Sequence, residues 1–367
     1  MNRLITLFAS LLLFGWMQLC NARVAPILWD MEELDAVRAA GPSDSAYKAY
    51  VRQADIYLRH ATPSVMDKPI SWSGDKHNFE SVAPYYWPNP TDPNGKFIVR
   101  DGEVNPDYGK YDRRRIDQLA QRIKAFAIAR YVTGDERYAA GLFHDVHVWF
   151  IDDSSRMNPH FQYAQIKPTH TTRGVPAGII EGYNLIEIIE AFRLMEQLGV
   201  MHSVERRTVR KWCRDLSIWL TDSENGRLES KKPNNHSTAY DVLVYSLCRY
   251  CGRNRTARHI ARDFGTLRVL AQIDGQGLQP EELKRTTAYK YSIYNVTHVI
   301  DFSIMRKNEG HSDYLRYAER VTAALRYLHS FVGRREAFPY QQIVDWEQNE
   351  ADCLVQLGRW QKLLKDE

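Results

Sequence analysis

The chain has 367 residues and a formal net charge of +4, with 26% charged and 44% hydrophobic residues. That is the composition of an ordinary soluble globular protein, long enough for one large domain or two smaller ones. No dense Lys/Arg block of the kind nucleic-acid binding needs is present, and the mild positive balance suits a polyanionic partner. The one excess is aromatic: nine Trp, 21 Tyr and 13 Phe. Such rings suit either a cleft that stacks on sugars or a tyrosine-rich helical core, and both readings stay open.

Residues 1–22 read as a secretory signal. Arg3 gives a positive start, residues 4–16 an apolar run, and Cys20-Asn21-Ala22 small residues for cleavage after Ala22. The run falls short of the roughly 20 residues that span a bilayer. Gln18-Leu19 before Cys20 makes a poor lipidation site. Losing Arg3 takes the charge from +4 to +3. The expectation is an exported protein, periplasmic or secreted, with residues 23–367 as a single domain and no membrane span.

Residues 31–59 place Leu34, Val37, Tyr47, Val51 and Ile56 at helical spacing and predict one or two helices. Residues 71–108, rich in Gly, Pro, Asn and aromatics, predict a long loop. Residues 112–133 predict an amphipathic helix with Ile116, Leu119, Ile123, Phe126, Ala127 and Tyr131 on one face. Gly134 stops it and Asp135 caps the next, 135–150. His144 and His147 there read as packing or surface residues. A second loop covers 152–176. Helices follow at 178–198, 203–220, 237–252 and 254–272. A third loop covers 275–287, and helices at 291–306, 313–331 and 343–365 complete the chain. No alternating β-branched run is long enough for a sheet, so the fold class is all-α, built of helical hairpins. Stacking into a solenoid and closing into a toroid both fit, although no internal repeat favours a regular solenoid.

Four cysteines follow the signal: Cys213, Cys248, Cys251 and Cys353. Cys248 and Cys251 form a C-x-x-C within a helical pattern. With no second pair and no paired His, buried thiols are favoured over a metal site. An exported protein has the option of one or two disulfides, whose pairing the sequence does not give. No metal or cofactor is expected.

The chemistry-bearing residues gather late in the chain. Asn234-Asn235-His236-Ser237 precede Arg285 and three tyrosines, Tyr289, Tyr291 and Tyr294. Amide, imidazole, guanidinium and phenol are the groups needed to draw a proton from a carbon beside a carboxylate. A 4-linked uronic acid carries its carboxylate on C5, and removing the C5 proton makes a dianion unless that carboxylate is neutralised. Asn235, His236 and Arg285 suit neutralisation. A base must take the proton and an acid must protonate O4 as it leaves. Where proton and O4 share a face, as in β-D-mannuronate, one tyrosine serves for both. Where they lie on opposite faces, as in α-L-guluronate, His236 as base and Tyr291 as acid fit. Tyrosine titrates near pH 10, and Arg285 and Lys290 are expected to favour its phenolate. Asn234 also suits a helix cap, and Tyr294 suits core packing.

The loops carry a resemblance. Gly74-Asp75-Lys76-His77-Asn78-Phe79, Ala83-Pro84-Tyr85-Tyr86-Trp87-Pro88-Asn89-Pro90, Asp101-Gly102, Arg156-Met157-Asn158-Pro159, Tyr163-Ala164-Gln165, Asn234-Asn235-His236-Ser237 and Glu282-Leu283 with Arg285 and Tyr291 resemble, in this order, the alginate lyase domain of polysaccharide lyases. The resemblance covers roughly residues 60 to 335. Its flavour is that of the Bacteroidetes-type branch, family thirty-eight, more than pseudomonad family five. It departs from family five by one residue fewer between Arg285 and the tyrosine, and Asn78 stands where the family has an aspartate. The resemblance implies an incomplete (α/α) toroid with a cleft across one end. It also implies β-elimination on an acidic polysaccharide, mannuronate-rich alginate first and glucuronan second, giving 4,5-unsaturated products. Catalysis then falls to Tyr291, His236, Asn235 and Arg285. Substrate binding falls to Lys76, His77, Tyr85, Trp87, Arg156, Tyr163, Gln165, Arg173 and Asn234, with Tyr86, Gln162 and His170 as further loop candidates.

Two other classes stay in view. A glycoside hydrolase on the same architecture needs two carboxylates, for which Asp75, Asp101, Glu281 and Glu282 lie in the loops. A binder without catalysis would keep the cleft, but retention of Asn235, His236, Arg285 and Tyr291 together argues against it.

Overall fold

The computed structural model describes residues 25–92, 95–168 and 171–365. The expected signal segment and His170 lie outside them. Helix dominates. α1 (Met31–Ala40) and α2 (Ser45–Leu58) are separated by a turn at Gly41–Ser43, so 31–59 divides in two. α3 (Asp112–Thr133) ends as expected: Gly134 takes the left-handed conformation at φ 73°, and Asp135 caps α4 (Glu136–Val146) by accepting from the Arg137 amide. α5 (Leu185–Gln197), α6 (Ser203–Asp222), α7 (Glu224–Glu229), α8 (Asn235–Cys251), α9 (Asn254–Phe264), α10 (Pro280–Leu283), α11 (Ala288–Asn308), α12 (Ala318–His329) and α13 (Trp346–Lys365) follow. The helices expected at 178–198 and 313–331 begin later than predicted. Each is preceded by a tighter 3₁₀ segment, Pro176–Gly182 and Asp313–Tyr317.

α3, α5, α8 and α11 pack one against the next and form an inner file. They are buried on most sides, and polar side chains such as Arg122, Glu190, Asn235, Asn295 and His298 are buried in them along with the apolar ones. α2, α4, α6, α9, α12 and α13 back them from outside. The arc is tied by residues 27–30. The Ile27 and Leu28 amides donate to Glu190 of α5 (2.7 and 2.6 Å), the Ile27 carbonyl accepts from Asn308 of α11, and Asp30 pairs with Lys362 of α13. The class is all-α, in the toroidal arrangement of helical hairpins.

Strands occur only in the loops. β1 (Glu80–Val82) pairs in parallel with β4 (Tyr163–Ile166), and β2 (Tyr86–Trp87) pairs antiparallel with β3 (Ile98–Val99). At two to four residues they are too short to print a period-two pattern in the sequence. The tyrosines serve both expected ends. Tyr138, Tyr245, Tyr289 and Tyr314 are fully buried, while Tyr85, Tyr86, Tyr163 and Tyr291 are half-buried. All four cysteines are free thiols, with Cys213, Cys248 and Cys353 buried. Among the described residues no helix is long and apolar enough to cross a membrane, and no group of three His, Cys, Asp or Glu is arranged to hold a metal ion.

Candidate active site

The site begins at the first turn of α8. Asn234 is its cap: the side-chain oxygen accepts from the His236 amide at 3.4 Å. Asn235 follows and is fully buried. Its backbone N–H and its side-chain amide both donate to Glu282, at 2.6 and 2.7 Å. This differs from the expectation that the Asn235 amide faces a sugar, because the carboxylate on α10 claims it. His236 remains half-exposed. Its Nδ1 lies 2.5 Å from Oε1 of Glu229, a fully buried carboxylate at the end of α7. Donation from Nδ1 fixes the tautomer and leaves Nε2 as the free lone pair.

The third loop supplies Arg285. Its guanidinium forms a two-pronged pair with Asp101, Nη2–Oδ1 2.6 Å and Nε–Oδ2 3.2 Å. The Thr286 amide and hydroxyl also donate to Asp101. Burial works to raise the Asp101 carboxyl, but the bonds from Arg285 and Thr286 outweigh it and hold the group low. Gly102 allows the approach: at φ 82° it is left-handed, and a Cβ there would stand 2.6 Å from the Thr286 hydroxyl.

Arg285 lies over the Tyr291 ring, 3.9 Å from guanidinium carbon to centroid. The Tyr291 hydroxyl meets the Tyr85 hydroxyl at 2.6 Å. Burial pushes the Tyr291 phenol well above its ordinary value; Tyr85 adds to this, and Arg285 opposes both without winning. Of the charges expected to favour its phenolate, Arg285 acts in that direction and burial outweighs it. Glu282 joins the two halves. Burial raises its carboxyl against the bonds from Asn235, and the charges of His236 and Arg285 both act on it. Asn235, His236, Arg285, Tyr291 and Tyr85 thus form one constellation.

The other candidates are more dispersed. Lys76 is exposed and donates to the Met66 carbonyl. His77 Nδ1 lies 2.7 Å from the Arg156 carbonyl, and Arg156 itself is exposed and paired with Asp153. The Trp87 indole donates to the Glu103 carbonyl, with Arg100 5.0 Å from its ring. Tyr163 is half-buried beside His160. Gln165 turns inward: its amide N–H donates to Ser81, and its side chain bonds buried Glu181. Arg173 is exposed. Tyr289 stacks on Trp346 in the core, and Tyr294 packs on His298. The loop carboxylates are committed: Asp75 to the His77 amide and Asn158, Asp101 to Arg285, Glu281 to Lys284 and Glu282 to Asn235. That leaves no free carboxyl pair among these four for hydrolysis.

Sequence reasoning missed Glu229 and the bracing role of Glu282. Glu229 lies on a separate short helix, and nothing local marks it as the imidazole's partner.

Residues 64–338 match the family model described as alginate lyase. No curated protein matches the chain. An alginate lyase from Bacteroides ovatus is similar in structure, with TM-score 0.85 and 33% identity over 91% of this chain and 90% of that one. A histidine-to-alanine variant of alginate lyase A1-III complexed with tetrasaccharide, an enzyme of Sphingomonas species A1, is similar at TM-score 0.52 and 11% identity, covering 89% of this chain and 82% of that one. The second likeness is one of fold.

Proposed function

The chain belongs to the alginate lyase family and is a polysaccharide lyase, and we propose that it cleaves a 4-linked uronate polymer by β-elimination, mannuronate-rich alginate first and glucuronan second. The observation that carries this reading is the Tyr291 ring under the Arg285 guanidinium with its hydroxyl at Tyr85, in one constellation with an imidazole held by Glu229. Arg285 neutralises the substrate carboxylate as charge builds on it. Asn235, held by Glu282, fixes the position of the neighbouring imidazole.

His236 Nε2 takes the C5 proton, and Tyr291, protonated at rest, gives its own to O4. For α-L-guluronate these two groups work from opposite faces. For β-D-mannuronate, and for β-D-glucuronate, which differs from it only at C2, both events fall on one face. Tyr291 then acts as a phenolate: its own proton passes first to bulk water, and the C5 proton it takes is the one it hands to O4, so the group ends as it began. The Arg285 guanidinium over its ring favours that phenolate, and the Tyr85 hydroxyl lies at its oxygen. The product carries a C4=C5 double bond at its new non-reducing end.

Incubation with polymannuronate, polyguluronate and glucuronan, followed by ultraviolet absorbance of that double bond, tests the reading. Absorbance from at least one uronan is expected, and none from all three overturns it. The same reading places the lyase domain at 23–367, exported after cleavage at Ala22; the N-terminal sequence of the mature protein checks this.

A further inference from the structure

The first loop reaches the constellation at two points. Its β2–β3 ribbon continues one step past the paired strands, where the Arg100 amide donates to the Tyr85 carbonyl at 2.9 Å. Asp101 directly follows Arg100. The Tyr85 hydroxyl meets the Tyr291 hydroxyl, and the Asp101 carboxylate meets the Arg285 guanidinium. One ribbon thus contacts both members of the Arg285–Tyr291 stack.

Asp101 is itself held from several sides. Besides the two prongs of Arg285, its carboxylate accepts from the Thr286 amide at 3.2 Å and the Thr286 hydroxyl at 3.0 Å, and its carbonyl accepts from the same hydroxyl at 2.9 Å. Thr286 is anchored in turn. Its carbonyl accepts from the Ile343 amide at 3.1 Å, and Thr287 bridges to Gln342. A Cβ at Gly102 would stand 2.6 Å from the Thr286 hydroxyl and 2.9 Å from the Ile343 side chain, so only glycine lets the ribbon settle here. Arg285 has a single ion-pair partner among the described residues, and it is Asp101. One carboxylate gripping Nε and Nη2 together fixes the plane of the fork. Without that grip only the ring contact would remain, and it is of the same order as the rotamer freedom an arginine gives up to make it.

We infer that Asp101 is a positioning residue for elimination on one face of the sugar: it holds the Arg285 guanidinium over the Tyr291 ring, so that a fixed positive charge stands beside the phenol as its proton leaves. This rests on the lyase reading and names what keeps Arg285 in place for it. Arg285 and Tyr85 are the groups that act on Tyr291; Tyr85 in turn adjoins Tyr294, which Arg113 faces, and Arg285 acts on Glu282, as His236 does. Two effects of removing Asp101 therefore oppose each other. Loss of its negative charge alone favours the Tyr291 phenolate, while release of the guanidinium disfavours it. The guanidinium touches the ring and Asp101 acts through it, so release decides the sign.

The test follows kcat of wild type and Asp101→Ala on polymannuronate and glucuronan across pH, in formate and in chloride at equal ionic strength. In wild type the rate rises with pH as the phenolate forms. In Asp101→Ala kcat is expected to fall about 10- to 100-fold, and the rising limb to move up by about one pH unit or more. Formate, taking the place of the missing carboxylate, should restore much of the rate, and chloride should not. Thr286→Val keeps the carboxylate and removes one of its donors. It should move the limb the same way by less, and it serves where the alanine variant fails to fold. A merely structural role would move neither the limb nor the formate response. A limb that stays, or that moves to lower pH as loss of charge alone would make it, overturns the inference, and so do equal rates in formate and chloride. Product from polyguluronate alone overturns it too, because Tyr291 is then an acid from the outset. If wild type gives no unsaturated product from any uronan, the lyase reading fails instead.

Discussion

Glu229, the last residue of α7, lies with its Oε1 2.5 Å from Nδ1 of His236 in the first turn of α8. The carboxylate is fully buried while the imidazole stays half-exposed. An acid that has given up its solvation to hold one ring nitrogen fixes which nitrogen is left for chemistry. Replacing Glu229 by Gln should let the ring adopt either tautomer. We expect kcat to fall about 10- to 100-fold with KM little changed. Steady-state rates on a uronan check this, and an unchanged kcat would remove His236 from the role of base.

Tyr291→Phe keeps the ring under Arg285 and removes only the hydroxyl shared with Tyr85. Turnover should fall by at least about 10²-fold, the lower range for a general acid, while oligosaccharide binding persists. Calorimetry beside a rate assay separates the two. Turnover surviving in this variant would show that another group protonates O4.

Asn235 answers a buried carboxyl. Asn235→Ala leaves Glu282 without its side-chain partner, and a buried acceptor so abandoned costs about 1–3 kcal/mol. Thermal unfolding should register a lower Tm in addition to lost activity. Combining it with Glu282→Gln should recover part of the loss, because the unpaired charge is then absent. Additive losses in the double variant would mean that the two side chains act independently.

His298 lies fully buried between the rings of Tyr183 and Tyr294. Burial depresses its pKa to about 3; Asp301 pulls the other way and the charge of His236 adds to the depression. In the unfolded chain this imidazole takes a proton near pH 6.5. The folded state refuses that proton, so its contribution to stability is whole above about pH 6.5 and declines as pH falls toward 3. The Tm of wild type should therefore fall relative to His298→Leu on going from pH 7.5 to pH 5. A constant difference between the two proteins would place the imidazole in contact with a charge that compensates protonation.

Much of the scaffold was legible because helices carry their own signals. The 3.6-residue period of 112–133, Gly134 as its stop and Asp135 as the next cap are local properties, and the structure keeps all three. The starts of α5 and α12 were not legible. The segments before them are wound as 3₁₀ turns whose apolar residues, Ile179 and Tyr314 among them, are buried like helical ones and so give the same hydrophobic pattern. The motif residues were legible as a set, because amide, imidazole, guanidinium and phenol have a joint chemistry wherever they meet.

By itself, then, the sequence determined the all-α class, the family and the identities of Asn235, His236, Arg285 and Tyr291, since periodicity and chemical type are written residue by residue. Only the tertiary structure decided their states. It turned Asn235 inward onto Glu282, gave His236 its carboxylate from a different helix, matched Arg285 with Asp101 and set the half-buried Tyr291 phenol beneath that guanidinium. Solvation and charge at a point depend on what every other segment brings there, and no stretch of chain encodes that alone.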